Sequence, residues 1–421
     1  MEKFPHLNFI QKVVGKPRFH GSGNPHPTTE HNKENRPQHY GYLSSRTGDL
    51  KARWDLEISE RSSDLPQLDK NIIPIFLQIN PSIITHDFEL KSLGIEIISQ
   101  EEDGFIIGAS VDALHSLNDK IEKFLKGQHG GGQIAELWQI IEGKQWKPQH
   151  ILSEHLLSIW NHIDDSEMIK VEIGIAFDKP LRREPDRTKK GGERNYQKYL
   201  EEARDRDEKL DARMEEFENF IRIYGEVTSS LIDLEDSFSC SVEISGKGLK
   251  DLVLNYPFVF EVSEQDVIRV EDGIQVDEET LELEILPPDK NAPEIGIIDS
   301  GIMEGHKYLA QAIDSSKSKS YVEGDPSTAD YVANGGHGTR VAGAVLYPNG
   351  VPPTGMPYTL PCFVRNLRIL NRNNELKHQF PAQLMKEIVE ENDDCKVFNL
   401  SINSDSPFRL KHMSVWAATL D

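Results

Sequence analysis

From Pro293 onward, short and nearly continuous apolar runs alternate with stretches of helical spacing, and no other feature of this 421-residue chain narrows its fold as much. The runs are Ile295-Gly296-Ile297-Ile298, Phe363 to Leu370, and Lys396 to Leu400. Between and after them, helices are predicted behind Gly338, over Ala382 to Glu390 with Pro381 in the first turn, and from Ser406-Pro407. A strand that is apolar on both faces has to be covered on both, and strands joined through helices run parallel. Residues 293–421 are therefore expected to form an α/β domain, a partial doubly wound parallel sheet.

Upstream the pattern changes. Residues 1–65 mix Pro, Gly, Asn and His without a sustained apolar period, and read as an irregular polar arm with one helix near Leu43 to Leu56. Five histidines there, His6, His20, His26, His31 and His39, show no metal-ligand spacing and read as solvated. Residues 70–127 carry strand-length runs at Ile72 to Ile79, Gly94 to Ser99 and Gly104 to Ala109, then a helix from Asp112, which together describe a small α+β lobe. Gly130-Gly131-Gly132 opens a stretch, 128–167, that reads as linker and helix; no Lys-Ser/Thr follows it, so it is not a phosphate loop. Residues 168–271 repeat the strand and helix plan around a long charged helix between Glu193 and Tyr224, which suggests an internal duplication. Arg182, Arg183, Arg187, Lys189 and Lys190 just before that helix read as an offset to neighbouring acids rather than as an anion site. Residues 272–292, acidic and ending in prolines, read as an inter-domain linker.

Charge bounds the partners. With 47 Lys and Arg against 70 Asp and Glu, the net charge of −23 would repel nucleic acids and anionic membranes. No apolar run approaches a membrane span, and Met1-Glu2-Lys3-Phe4-Pro5 opens no secretory signal. Three scattered cysteines, Cys240, Cys362 and Cys395, suit neither a disulfide framework nor a metal cluster. The expectation is a cytoplasmic protein with no cofactor and no metal.

In a sheet of this class, functional groups gather at the carboxyl ends of the strands. Asp299 stands there, directly after Ile295 to Ile298, with Ser300-Gly301 turning the chain behind it. A carboxylate so placed can orient a partner side chain, and His337, 38 residues on, supplies one within Gly335-Gly336-His337-Gly338-Thr339-Arg340-Val341-Ala342-Gly343. At the start of a helix, the positive dipole end should disfavour the imidazolium and keep the ring able to accept a proton. Each residue alone has a plainer role: Asp299 as a turn former or cap, His337 as a core histidine, Ser401 as a turn residue. Their order and setting are what single them out.

Ile-Ile-Asp-Ser-Gly followed by His-Gly-Thr-x-Val-Ala-Gly resembles the subtilisin-like serine peptidases, the subtilases, whose triad runs Asp, His, Ser along the chain. The resemblance covers about residues 293 to 421 and implies peptide-bond hydrolysis through an acyl-enzyme, with a protein or peptide substrate. It implies that Asp299 orients the imidazole, that His337 is general base and then acid, and that Ser401 and Asn403 pair with substrate backbone. Asn403 stands where the family generally has glycine. His306, near Asp299, belongs to no motif and reads as a surface residue. The family's nucleophile lies in a Gly-Thr-Ser motif that occurs nowhere in the chain, so a domain incomplete at its C-terminus and inactive alone is expected, with an unpaired sheet edge that melts early. The alternative is a peptide-binding or regulatory protein with a degenerate peptidase domain. The segment Gly248 to Asp266 resembles the end of the subtilisin propeptide, a ferredoxin-like inhibitor, and both upstream lobes are accordingly expected to be ferredoxin-like. An ATPase partner docking on those lobes is an association among long cytosolic subtilases that the likeness brings with it.

Overall fold

The structure is a computed structural model that describes residues 26–79, 95–101, 104–177, 181–234, 236–265, 268–270, 283–334, 336–350, 357–404 and 413–420. The chain divides into two compact units, residues 1–265 with 409–421, and residues 266–408.

The first unit opens with two helices, α1 (Pro27–Glu34) and α2 (Arg36–Glu60). Strands β1 (Ile72–Ile79), β2 (Ile95–Glu101) and β3 (Gly104–Ser110), helix α3 (Val111–Leu125) and strand β4 (Leu137–Glu142) follow. They build an antiparallel sheet of order β2-β3-β1-β4. Ile73, Ile75, Leu77 and Ile79 alternate onto one face of β1, where they share a core with Leu43, Leu50 and Trp54 of α2 and Leu117, Ile121 and Phe124 of α3.

Three sequence expectations change here. Residues 27–60 are helical rather than irregular, because His39, Leu43, Thr47, Leu50 and Trp54 recur three or four apart and are buried, two of them polar enough to hide the stripe. His39 is not solvated, since its ring nitrogen meets the Ile134 carbonyl at 3.2 Å. The glycine run is a turn inside the lobe rather than a joint, for β4 returns beyond it to complete the sheet. The strand expected from Gly94 and the Ser406-Pro407 helix start fall partly and wholly outside the described residues.

Helices α4 (Gly143–Ile151) and α5 (Glu154–Ile159) lead to β5 (Met168–Ala176), the long α6 (Gly192–Ile221), and short β6 (Gly225–Val227) and β7 (Ile232–Asp233). Then come β8 (Ser237–Ser245), α7 (Gly246–Asn255) and β9 (Val259–Glu264). The antiparallel sheet β6-β8-β5-β9, with β7 also on β8, has its successive main strands in the same order as the first lobe. Phe217 of α6 closes edge-on over Phe238 of β8 and beside Tyr256, with ring centroids 5.8 and 5.9 Å away. The basic loop before α6 is offset by acids, as expected: Arg182 pairs with Glu202 at 2.9 Å and Arg187 with Glu193 at 3.8 Å.

In the second unit β10 (Ile285–Leu286) is followed by β11 (Glu294–Asp299), β12 (Lys319–Ser320), α8 (His337–Leu346), β13 (Tyr358–Thr359), β14 (Phe363–Arg368), α9 (Pro381–Glu391) and β15 (Val397–Leu400). The main sheet is wholly parallel, in the order β12-β14-β11-β15. β10 pairs parallel with β13, so the described end of the expected 272–292 linker belongs to this unit. A last helix, α10 (Val415–Leu420), closes the described chain and falls in the first unit. Among the described residues no helix is long and apolar enough to cross a membrane.

Lys147 of α4 is fully buried and donates to the Tyr256 carbonyl at 2.7 Å, and burial pushes its pKa down to about 7. An unfolded lysine holds its proton up to about 10.4, so between about pH 7 and that value the unfolded chain binds more protons and stability rises with pH. Urea unfolding should show wild type gaining on Lys147→Met across that window; a constant difference would contradict a buried amine at this site.

Candidate active site

Strand alternation puts Ile295, Ile297 and Asp299 of β11 on one face. Ile297, fully buried, packs there with Ala342 and Leu346 of α8. The face that seats α8 thereby carries Asp299 to the first residue of that helix, His337. Nδ1 of His337 lies 2.7 Å from Oδ1 of Asp299, with the carboxylate side chain 1% and the imidazole 31% exposed. Ser300 N–H donates to the same Oδ1 at 2.7 Å. Parallel pairing holds the strand end in place, for Asp299 lies in register with Arg368 and its carbonyl accepts from Ile369 N–H at 2.9 Å.

Close approach of helix to strand needs Gly338. A methyl group there would strike the Gly301 carbonyl and come within 3.1 Å of the Asp299 Cβ. With Nδ1 committed to the carboxylate, Nε2 is the ring nitrogen left to exchange a proton.

The sign of the histidine shift is opposite to the dipole expectation. Its hydrogen bond with Asp299 holds His337 above the ordinary value of 6.5, burial opposes this, the charges of Asp299 and Asp330 add to it, and Arg340 subtracts. A carboxylate in contact outweighs the partial charge of a helix end.

Asp299 and His337 are thus brought together. Ser401 and Asn403 lie exposed beyond the end of β15, which pairs with β11 up to Ile298 and Leu400. The Ser401 hydroxyl donates to Asn399 Oδ1 at 2.7 Å. His306 is half-buried, its ring edge-on to Tyr308 at 5.5 Å.

Two features escaped sequence reading. Arg365 and Arg368 interrupt what looks like an apolar strand, yet both are buried because each is matched: Arg365 to Asp394 and Glu294 at 2.7 and 2.5 Å, Arg368 to Asp325 at 3.2 Å. Asp330 is the second. The N-cap of α8 is Gly336, which has no side chain to cap with, and that vacancy is the signal that an acceptor has to arrive from elsewhere. Among the described residues no group of three His, Cys, Asp or Glu side chains is placed to hold a metal ion.

Comparison with known proteins points the same way as the motifs. Residues 290–419 match the model of the subtilase family (Peptidase_S8), which supports a subtilisin-like peptidase over that span. Among solved structures, the chain is similar to the epidermin leader peptide processing serine protease (EpiP) of Staphylococcus aureus, at 15% identity and a TM-score of 0.29, covering 61% of this chain and 56% of that one. At that score the likeness carries no argument about fold. No curated protein matches the chain.

Two outcomes are expected of this geometry. Because the folded His337 pKa lies above its unfolded value, the stability that the pair contributes is complete below about pH 6.5 and is lost as pH rises through the folded midpoint. Urea unfolding from pH 5 to 9 should show the advantage of wild type over His337→Gln shrinking with pH; an advantage that grows would contradict the pairing. Gly338→Ala, measured the same way, should lose about 1–3 kcal/mol through the clash with the Asp299 turn, and an unchanged midpoint would place α8 farther from β11.

Proposed function

We propose, from the subtilase match over residues 290–419, that the second unit carries the acid–base part of a subtilisin-like serine endopeptidase. One observation carries the reading: the 2.7 Å contact between a buried carboxylate at a strand end and an imidazole whose other nitrogen is free to work. In the reaction, His337 Nε2 takes the proton of an attacking serine hydroxyl while the new Oγ–C bond forms at the scissile carbonyl. It then gives that proton to the leaving amine as the C–N bond breaks, and the cycle repeats with water to free the acyl group. Asp299 fixes the tautomer and stabilises the imidazolium. Ser401 and Asn403, beyond the half-exposed strand β15, are assigned to an extended peptide substrate pairing by strand addition.

No Gly-Thr-Ser occurs in the sequence, so the acyl-enzyme step calls for a serine outside these residues. The second lobe, residues 168–271, is read as propeptide-like and ferredoxin-like; the sheet order β6-β8-β5-β9 of its described part, with helices after the first and third main strands, supports this. The compartment proposed is the cytoplasm, in keeping with three buried cysteines that are all free thiols.

A fluorophosphonate probe tests the chemistry on a chain extended to include a Gly-Thr-Ser segment. Labelling should occur, and should fall by 10³-fold or more, on the order seen when a triad member is removed, in His337→Ala. A folded extended chain that binds peptides but never labels would favour the degenerate, peptide-binding reading.

A further inference from the structure

We propose that Asp330, which no motif claims, is a positioning residue for the Asp299–His337 pair, so the inference rests on the acid–base reading above. Its carboxylate joins the two pieces of chain that have to meet. Oδ1 accepts from the Ser300 hydroxyl at 2.8 Å, directly behind Asp299. Oδ2 accepts from both the backbone N–H and the hydroxyl of Thr339 at 2.8 Å, in the first turn of α8. The ring closes through Ser300 itself, whose Oγ accepts the Gly338 N–H at 2.9 Å, and through Thr339, whose Oγ1 accepts the Met303 N–H at 3.0 Å. Two of the orphan donors of α8 are therefore satisfied by groups fixed to the end of β11, and the helix cannot slide along the strand without breaking them.

Asp330 is itself held from below. Asn366 and Arg368, inward-facing and fully buried on β14, donate to the Thr328 and Ser327 carbonyls at 2.9 and 2.6 Å. Ile302 N–H also donates to Thr328 O, at 3.1 Å. The sheet thus grips the segment two and three residues ahead of the carboxylate. Gly336 makes room for it: its φ of 76° suits glycine, and a Cβ there would strike the Asp330 carboxylate. A glycine cap without a side chain and a carboxylate filling the space it leaves are two halves of one arrangement.

The charged groups acting on His337 are Asp299, Asp330 and Arg340, of which the two acids favour the imidazolium. Asp330 accordingly does two separable things, holding geometry and adding negative field. Asn at 330 keeps an acceptor for Thr339 but loses the Val332 N–H that Oδ1 accepts at 3.2 Å and can only donate toward Ser300, so it removes the charge and keeps the Thr339 half of the clamp; Ala removes all of it.

The test is NMR of the full chain with ¹⁵N,¹³C-labelled histidine, with His337 assigned by its loss in His337→Gln. The readouts are the His337 Nδ1–H resonance, visible only while the hydrogen bond slows its exchange, and the titration midpoint of the ring. Asp330→Asn should keep the resonance and lower the midpoint. Asp330→Ala should lower the midpoint and lose the resonance. A folded Asp330→Ala chain with both unchanged overturns the proposal. Should that variant fail to fold, Ser300→Ala decides instead, since it takes away the hydroxyl through which Asp330 reaches the Asp299 turn and the Gly338 N–H: a lost resonance supports the role and an unchanged one overturns it. Asp299→Asn separates the two levels. If it changes both readouts while Asp330 variants change neither, only the role of Asp330 fails; if it changes neither, the acid–base reading fails and this inference with it.

Discussion

A hydrogen bond between a carboxylate at the end of one strand and an imidazole at the start of one helix is the contact on which the second unit turns. It is short, 2.7 Å, and lopsided in exposure: Asp299 is sealed while His337 reaches solvent. A sealed carboxylate needs donors: Ser300 N–H and His337 both serve Oδ1, while Oδ2 is buried without a hydrogen-bond partner among the described residues. A histidine so engaged is confined to one orientation and one tautomer, with a single nitrogen facing outward. Parallel register, a close helix and a small residue at 338 are all conditions for that geometry.

Much of this was legible because it repeats a simple physical pattern. Apolar strand, acid, Ser-Gly turn and a His-Gly-Thr helix start are local features, and β11, α8, β14, α9 and β15 lie within a few residues of where the sequence places them, whereas the two-residue strands β12 and β13 are too short to show a period. The N-terminal lobes were legible for the same reason, from Ile72 to Ile79 and from Met168 onward. Failures came where polar residues carry structural work. The stripe of α2 contains His39 and Thr47, so its period was hidden. Strand β4 begins Leu137-Trp138-Gln139, behind a glycine run that looks like a joint. Arg365 and Arg368, buried, and Asp330, half-buried, are invisible to hydropathy, since an enclosed ion is recognised only once its partner is known. At His337 the hydrogen bond with Asp299, which raises the pKa, works against the helix-end field that the sequence suggests.

The second unit therefore combines two kinds of interior. Behind β11, apolar residues of α8 and β14 fill a core of ordinary type. At the carboxyl ends of the strands Asn366 and Arg368 of β14 donate to Glu304 and to the Ser327 carbonyl, while Arg365 binds Asn392, Asp394 and Glu294 at the amino ends. Polar interiors of that kind are costly unless satisfied and specify geometry when they are. Polar groups paired in this way toward both ends of the sheet fix the strand ends, those beside Asp299 included, and leave the rest of the fold to hydrophobic packing.

The ¹⁵N chemical shifts of the His337 ring, recorded in the full chain above its titration midpoint, test the central claim most directly. They report which nitrogen carries the proton in the neutral form. Nδ1 should be protonated, held by Asp299, and Nε2 bare and able to act as base; a neutral ring protonated at Nε2 would contradict the pairing.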